Sequence, residues 1–171
     1  MHVHYSSQRQ DWETPPDHFE ALDAEFGFDL DVCATRRNAK VERFYSPEDD
    51  ALAQPWRGTC FCNPPFDQIE AFVTKAIRSV AEGATVVMLV PARTDSRWFQ
   101  ALVQHADDVR LFARRLRFVG ATQPAPFPCA AVVLRPTLQW ASDDSRLSFT
   151  IPRRHKSGVR WTTLKVVRGD G

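Results

Sequence analysis

Four consecutive residues, Asn63-Pro64-Pro65-Phe66, carry the clearest chemistry in this sequence. An amine conjugated with a ring, such as the exocyclic amine of adenine, is a poor nucleophile because its lone pair is delocalised. Two hydrogen-bond acceptors on its two protons favour a pyramidal nitrogen and release that pair. Asn63 Oδ1 and the Pro64 carbonyl are candidates for those acceptors. A proline pair has no backbone N–H and holds φ near about −65°, which keeps the Pro64 carbonyl rigidly outward. Phe66 offers a ring face on which a base can stack, and a base must be flipped from a duplex before such a site can reach it. The chemistry served is group transfer to a planar amine. The same four residues would also suit a plain strand terminator ahead of a helix.

Methyl transfer needs a donor, and two acids upstream suit a cationic, hydroxyl-rich one. Asp31 closes an apolar run, where its carboxylate could meet an ammonium or a hydroxyl. Asp50, in Asp50-Ala51-Leu52, could accept from an adenine amine of the donor. Charge is distributed accordingly. Twelve Asp/Glu stand against five Lys/Arg from Met1 to Asp50, and six Lys/Arg against one Asp from Pro152 to Gly171, within a net charge of only +1. A uniformly basic nucleic-acid binder is thereby excluded, while the basic tail and the central arginines could face DNA. Cys33, Cys60, Cys62 and Cys129 read as reduced apolar residues. Cys60-Phe61-Cys62 has the wrong spacing for a zinc knuckle, so no metal is expected.

The elements that must position these groups follow from periodicity. Phe19, Leu22 and Phe26 mark a short helix after Thr14-Pro15-Pro16, ended by Gly27. Phe28 to Ala34 reads as a strand, Arg36 to Lys40 as loop and Val41 to Tyr45 as a second short strand. Thr59 to Cys62 reads as a buried parallel strand stopped by the prolines. Ile69, Phe72, Val73, Ala76, Ile77 and Val80 define the clearest helix, closed by Glu82-Gly83. Ala84 to Val90 is a strand buried on both faces, and Ser96 to His105 a helix. Val109 to Ala113, Leu116 to Val119 and Cys129 to Leu134 are later strands, the last two forming a hairpin-like ending. This order predicts an α/β, doubly wound sheet, mostly parallel with an antiparallel edge. Ligands of such sheets bind beyond the strand carboxyl ends, where Asp31 and Asn63 both fall.

Asp11-Trp12-Glu13-Thr14-Pro15-Pro16, Leu30-Asp31-Val32-Cys33-Ala34, Asp49-Asp50-Ala51-Leu52, Cys62-Asn63-Pro64-Pro65-Phe66, Pro91-Ala92-Arg93-Thr94-Asp95 and Arg115-Leu116-Arg117-Phe118 together resemble the phage DNA N-6-adenine-methyltransferase (Dam) family. The resemblance spans Gln10 to Pro136. It implies an abbreviated Rossmann-like, S-adenosylmethionine-dependent methyltransferase fold, with residues 1–136 as the catalytic domain and 137–171 as a C-terminal extension. It also implies a phage or prophage origin and methylation of adenine N6 in DNA. By the same resemblance Trp12, Thr14 and Pro15 close over the cofactor, Asp31 and Ala34 line its pocket, and Asp50 meets its adenine. Asn63 to Phe66 then take the acceptor base. Two departures stand out. Ala34-Thr35-Arg36-Arg37-Asn38 replaces the usual glycine-rich turn, and only about 30 residues separate Asp31 from the catalytic motif. The second strand and its helices must therefore be abbreviated, with Glu42 as a candidate for the ribose.

For double-stranded DNA the candidates are Arg93, Arg115 and Arg117, together with Arg114 and the tail Arg153-Arg154-His155-Lys156. Asp95 or Ser96 would cap the next helix, and Trp98 reads as core. Arginines of this kind grip phosphate and confer salt dependence, not sequence choice. With little room for a target-recognition domain, specificity is expected to be short or relaxed. Two alternatives remain at this point: methylation of a protein glutamine amide, and a non-catalytic DNA-binding or anti-restriction protein on the same fold. The longest apolar stretch, Ala84 to Val90, is too short to span a bilayer, and Met1 to His4 lacks signal-peptide features. A cytoplasmic monomer is expected.

Overall fold

The computed structural model describes residues 12–136 in full, together with the backbone of the strands 146–155 and 158–167. Pro15 at the N-cap position and Pro16 in the first turn start helix α1 (Pro16–Phe26), and Gly27 ends it at φ 59°, with its N–H on the Asp23 carbonyl at 2.8 Å. A left-handed residue at a helix end is what glycine supplies without steric cost. Strand β1 (Leu30–Asp31) is far shorter than the expected Phe28 to Ala34. Its flanks nonetheless keep backbone hydrogen bonds, from Asp29 N to Thr59 O and from Val32 N to Phe61 O.

Strand β2 (Thr59–Cys62), helix α2 (Ile69–Ala81), strand β3 (Thr85–Pro91) and helix α3 (Arg97–Gln104) follow the periodic pattern within a residue or two. Ser96 takes the α3 N-cap position, its hydroxyl donating to the Arg93 carbonyl at 2.8 Å. Strands β4 (Asp108–Leu111), β5 (Cys129–Leu134), β6 (Arg146–His155) and β7 (Gly158–Val167) complete one sheet, in the order β1-β2-β3-β5-β4-β6-β7.

Three expectations need correction. The sheet is mixed rather than mostly parallel: β1-β2, β2-β3 and β4-β6 are parallel, while β3-β5, β5-β4 and β6-β7 are antiparallel. Strand β5 is reversed within the sheet, inserted between β3 and β4, while a second reversed strand, β7, forms an antiparallel edge beside β6. Leu116 to Val119 forms no strand and makes no hairpin with β5, whose partners are β3 and β4. Leu116 and Phe118 bury their side chains while Arg115 and Arg117 stay exposed, so the alternation belongs to an extended segment laid on the core. Val41 to Tyr45 is likewise reduced to one bridge, Phe44 to Asp31.

The abbreviated connection between β1 and β2 holds no α-helix, only a 3-10 turn at Pro47–Asp49. Side-chain bonds to its own backbone order it. Trp56, 2% exposed, donates its indole N–H to the Ala51 carbonyl at 2.8 Å, and Tyr45 donates its hydroxyl to the Pro55 carbonyl at 2.8 Å.

Two apolar clusters sandwich the sheet. One packs Phe72, Val73, Phe99 and Leu102 of α2 and α3 against Cys60, Cys62, Val86, Met88 and Val90. The other packs Phe19 and Leu22 of α1, with Leu116 and Phe118, against Phe61, Val87 and Leu89. Alternate β3 residues therefore enter opposite layers, which explains its unbroken apolar run. No helix among the described residues is long and apolar enough to cross a membrane.

Candidate active site

Parallel pairing of β1 with β2, Asp31 opposite Phe61, brings Asp31 and Asn63 to neighbouring strand ends on one crevice. A cavity of about 350 Å³ opens there, within the roughly 300–1,000 Å³ of ligand pockets. Of the residues expected at the site, Trp12, Thr14, Asp31, Ala34, Asp50, Asn63 and Pro65 line it. Pro15, Pro64 and Phe66 do not. Pro15 instead starts α1, its carbonyl accepting the N–H groups of His18 and Phe19. Glu42 is exposed and outside the cavity, whereas Lys40, Cys33 and Tyr45, which no sequence pattern singles out, line it. Their segment lacks the periodicity that would have flagged them.

Asp31 is only 3% exposed. Its two carboxylate oxygens accept the backbone N–H groups of Cys33 and Lys40, each at 3.2 Å. Among the described residues no cation lies at ion-pair distance from it, because the Lys40 ammonium pairs with Glu13 Oε1 at 2.9 Å. Burial outweighs the two N–H bonds and pushes the carboxyl up to about 6. A buried, incompletely compensated acid at a cavity wall is a place for a cationic or hydroxyl-bearing ligand. Asp50, exposed and left-handed at φ 50°, faces the same cavity from the 3-10 turn. Next to Asp31, the Cys33 and Cys62 sulfurs stand 3.8 Å apart, and burial holds the Cys62 thiol well above its ordinary range. No group of three or more His, Cys, Asp or Glu side chains that could hold a metal is present among the described residues.

Asn63 is tied by its amide nitrogen, which donates to the Trp12 carbonyl and to Thr14 Oγ1 at 3.0 Å. Among the described residues no protein donor meets Asn63 Oδ1 or the Pro64 carbonyl. Phe66 is half-buried, its ring 6.3 Å from Trp12 at 19° and 5.4 Å from Phe127, edge-on. Trp12 also packs on Phe118 at 5.0 Å. The 112–128 connection is thereby joined to the Asn63–Phe66 loop through aromatic contacts.

The expected DNA contacts are exposed and stand apart from the cavity. Arg93 follows β3, while Arg115 Nη1 donates to the Ala125 carbonyl at 3.4 Å and Arg117 Nη2 to the Thr122 carbonyl at 2.6 Å. Both brace their own loop. Trp98, expected in the core, is half-buried against the α2/α3 cluster. The side chains of Arg153, Arg154 and His155, and all of Lys156, lie outside the described residues, as does Asp11.

A family model described as DNA N-6-adenine-methyltransferase (Dam) matches residues 3–153. A DNA N-6-adenine-methyltransferase of Haemophilus phage HP1 (strain HP1c1) is 37% identical over 107 residues, 60% of this chain and 62% of that protein. One from Escherichia phage T1 is 33% identical over 101 residues, 57% of this chain and 42% of the relative. The putative methyltransferase YfdM of Escherichia coli (strain K12) is 38% identical over 63 residues, 32% of this chain and 69% of that protein. The chain thus spans less than two thirds of the length of the two phage relatives. With the family match running through most of its residues, from before α1 into β6, the chain belongs to the Dam family of DNA N-6-adenine-methyltransferases.

Proposed function

We propose that this chain transfers a methyl group from S-adenosylmethionine to the N6 amine of adenine in double-stranded DNA, on an abbreviated Rossmann-like methyltransferase fold. One observation carries the reading. Asn63 and the Pro64 carbonyl, two acceptors without a protein donor among the described residues, stand at the strand end next to a cavity whose buried acid lacks a cation. S-adenosylmethionine supplies an electrophilic methyl group on a sulfonium, and its ammonium and hydroxyls suit the acids of this cavity. Asp31 would hold the ammonium or a hydroxyl and Asp50 the adenine amine, with Trp12, Thr14 and Ala34 walling the pocket.

On the acceptor side, Asn63 Oδ1 and the Pro64 carbonyl take the two N6 protons, and Pro65 stiffens the turn. Phe66 stacks on the flipped base. Catalysis is then a matter of positioning and of releasing the amine lone pair, without a covalent enzyme intermediate. Arg115 and Arg117 each use one guanidinium nitrogen internally and keep other N–H groups exposed for phosphate. Together with Arg93 they would give binding that weakens as salt rises. A monomer in the cytoplasm of a bacterial host is consistent with this reading.

The test is incorporation of labelled methyl into unmethylated DNA, followed by mass spectrometry of the nucleosides. N6-methyladenine is expected as the product. Asn63→Ala should lower the rate by about 10²- to 10³-fold, as loss of a transition-state hydrogen bond does elsewhere. Full activity in that variant, or methylcytosine as the product, refutes the assignment.

A further inference from the structure

We infer that Thr14 and the Trp12 main chain are positioning groups for the acceptor amine, because together they set which end of the Asn63 amide faces it; this rests on the reading of Asn63 given above. A primary amide is nearly symmetric in shape. Turned one way it presents an oxygen acceptor, turned the other an NH2 donor, and only the first can receive a proton from an amine. An unconstrained Asn63 would divide its time between the two.

The Trp12 carbonyl can only accept, so the side chain end next to it has to be Nδ2. Thr14 Oγ1, 3.0 Å from the same nitrogen, takes the second proton. Both amide protons are thereby consumed, and Oδ1 is left as the outward-facing atom. Thr14 is only 2% exposed, so water competes poorly for this contact.

The 12–15 strap that carries both groups is pinned from several sides. The Val119 N–H donates to the Glu13 carbonyl at 3.0 Å, and the Glu13 carboxylate pairs with Lys40 at 2.9 Å. The Trp12 indole packs on Phe118 at 5.0 Å and on Phe127 at 5.8 Å. A strap held this way is a fixed reference for the amide. Trp12, Glu13 and Thr14 of the strap also line the cavity, so a contact to the methyl donor and a positioning role must be separated by measurement.

Three full-length variants do so. Thr14→Val keeps the shape and removes the hydroxyl, Thr14→Ser keeps the hydroxyl, and Asn63→Ala removes the oriented group. Thr14→Val is expected to lower kcat by about tenfold, the effect of one neutral hydrogen bond, while the Kd for S-adenosylmethionine measured by calorimetry stays within about twofold. Thr14→Ser should recover kcat to within about threefold. Added to Asn63→Ala, Thr14→Val should cost nothing further, since the two share one interaction.

A weakened Kd with kcat preserved would overturn the positioning role and make Thr14 a donor contact. Unchanged kcat and Kd would overturn it as well. If Thr14→Val does not fold, Thr14→Ala carries the same comparison against Thr14→Ser, with the same readings. Full activity of Asn63→Ala alone refutes the acceptor assignment instead, so the two failures are distinguishable.

Discussion

Asp31 at the end of β1 and Asp108 on β4 are both buried, 3% and 5% exposed, and the protein treats them in opposite ways. Asp108 Oδ2 accepts from Arg110 Nε at 2.9 Å, and the same guanidinium reaches across to Glu25 of α1 at 2.5 and 2.6 Å. That cluster is a structural clamp, compensated from within. Asp31 receives two backbone N–H groups, while the nearby Lys40 ammonium is engaged by Glu13. Where a buried acid fastens the fold, the chain supplies its cation; at Asp31, on the proposed reading, the cation comes with the ligand.

Breaking the clamp should have the largest effect. Arg110→Met leaves Asp108 buried beside an uncharged side chain, and removal of one partner of a buried pair costs about 3–5 kcal/mol. A fall in Tm of about 10 °C is expected by calorimetry, with S-adenosylmethionine affinity retained in the folded fraction. Asp31→Asn should do the reverse. Holding the Asp31 carboxylate charged against a folded value of about 6 costs the ligand-free protein about 3 kcal/mol at neutral pH. Part of this is offset on substitution, because one carboxylate oxygen becomes an NH2 that cannot accept and either the Cys33 or the Lys40 N–H loses its partner, so unfolding stability at pH 8 should rise by no more than about 1–2 kcal/mol. Affinity for S-adenosylmethionine should fall by about tenfold to a hundredfold. A variant that loses both stability and affinity would erase the contrast.

The smallest effect concerns pH. The folded value of Asp31, about 6, lies above the ordinary 3.8. Between these values the folded state holds the extra proton, so Asp31's contribution to stability is greatest in acid and is lost as pH rises through about 6. A cationic ligand selects the ionised form, so its affinity should drop by about tenfold per pH unit below 6 and level off above it. Calorimetry in two buffers of different ionisation enthalpy should register a released proton below pH 6. A flat profile from pH 5 to 8 would remove Asp31 from contact with a cation.

Local pattern was enough for α2 and β3, because each buries a repeating stripe or an unbroken apolar run. It was enough for Asn63-Pro64-Pro65-Phe66 too, since the prolines mark the strand end in sequence. Residues 35–57 carried no such sign: their order comes from single bonds between a side chain and the backbone, such as Trp56 to Ala51 and Asp31 to Lys40, which have no period. Leu116 and Phe118 alternate with arginines as a strand would, yet the segment pairs with no strand, because alternation reports which side is buried and nothing about backbone partners. The reversed insertion of β5 was equally hidden, since a strand buried on both faces reads alike in either direction. Asn63 meets Trp12 and Thr14 across about 50 residues, a relation only the folded chain reveals.

That insertion of β5 also bears on how the protein is made. β3 emerges from the ribosome before the strand that covers its second edge, and Val86 finds its partner only when Leu134 has been synthesised. Until then a seven-residue apolar strand offers unpaired N–H and C=O groups to any other nascent chain, the kind of open edge that promotes aggregation. Adjacent β1 and β2, which carry the candidate site, therefore acquire a closed sheet beside them only late in translation.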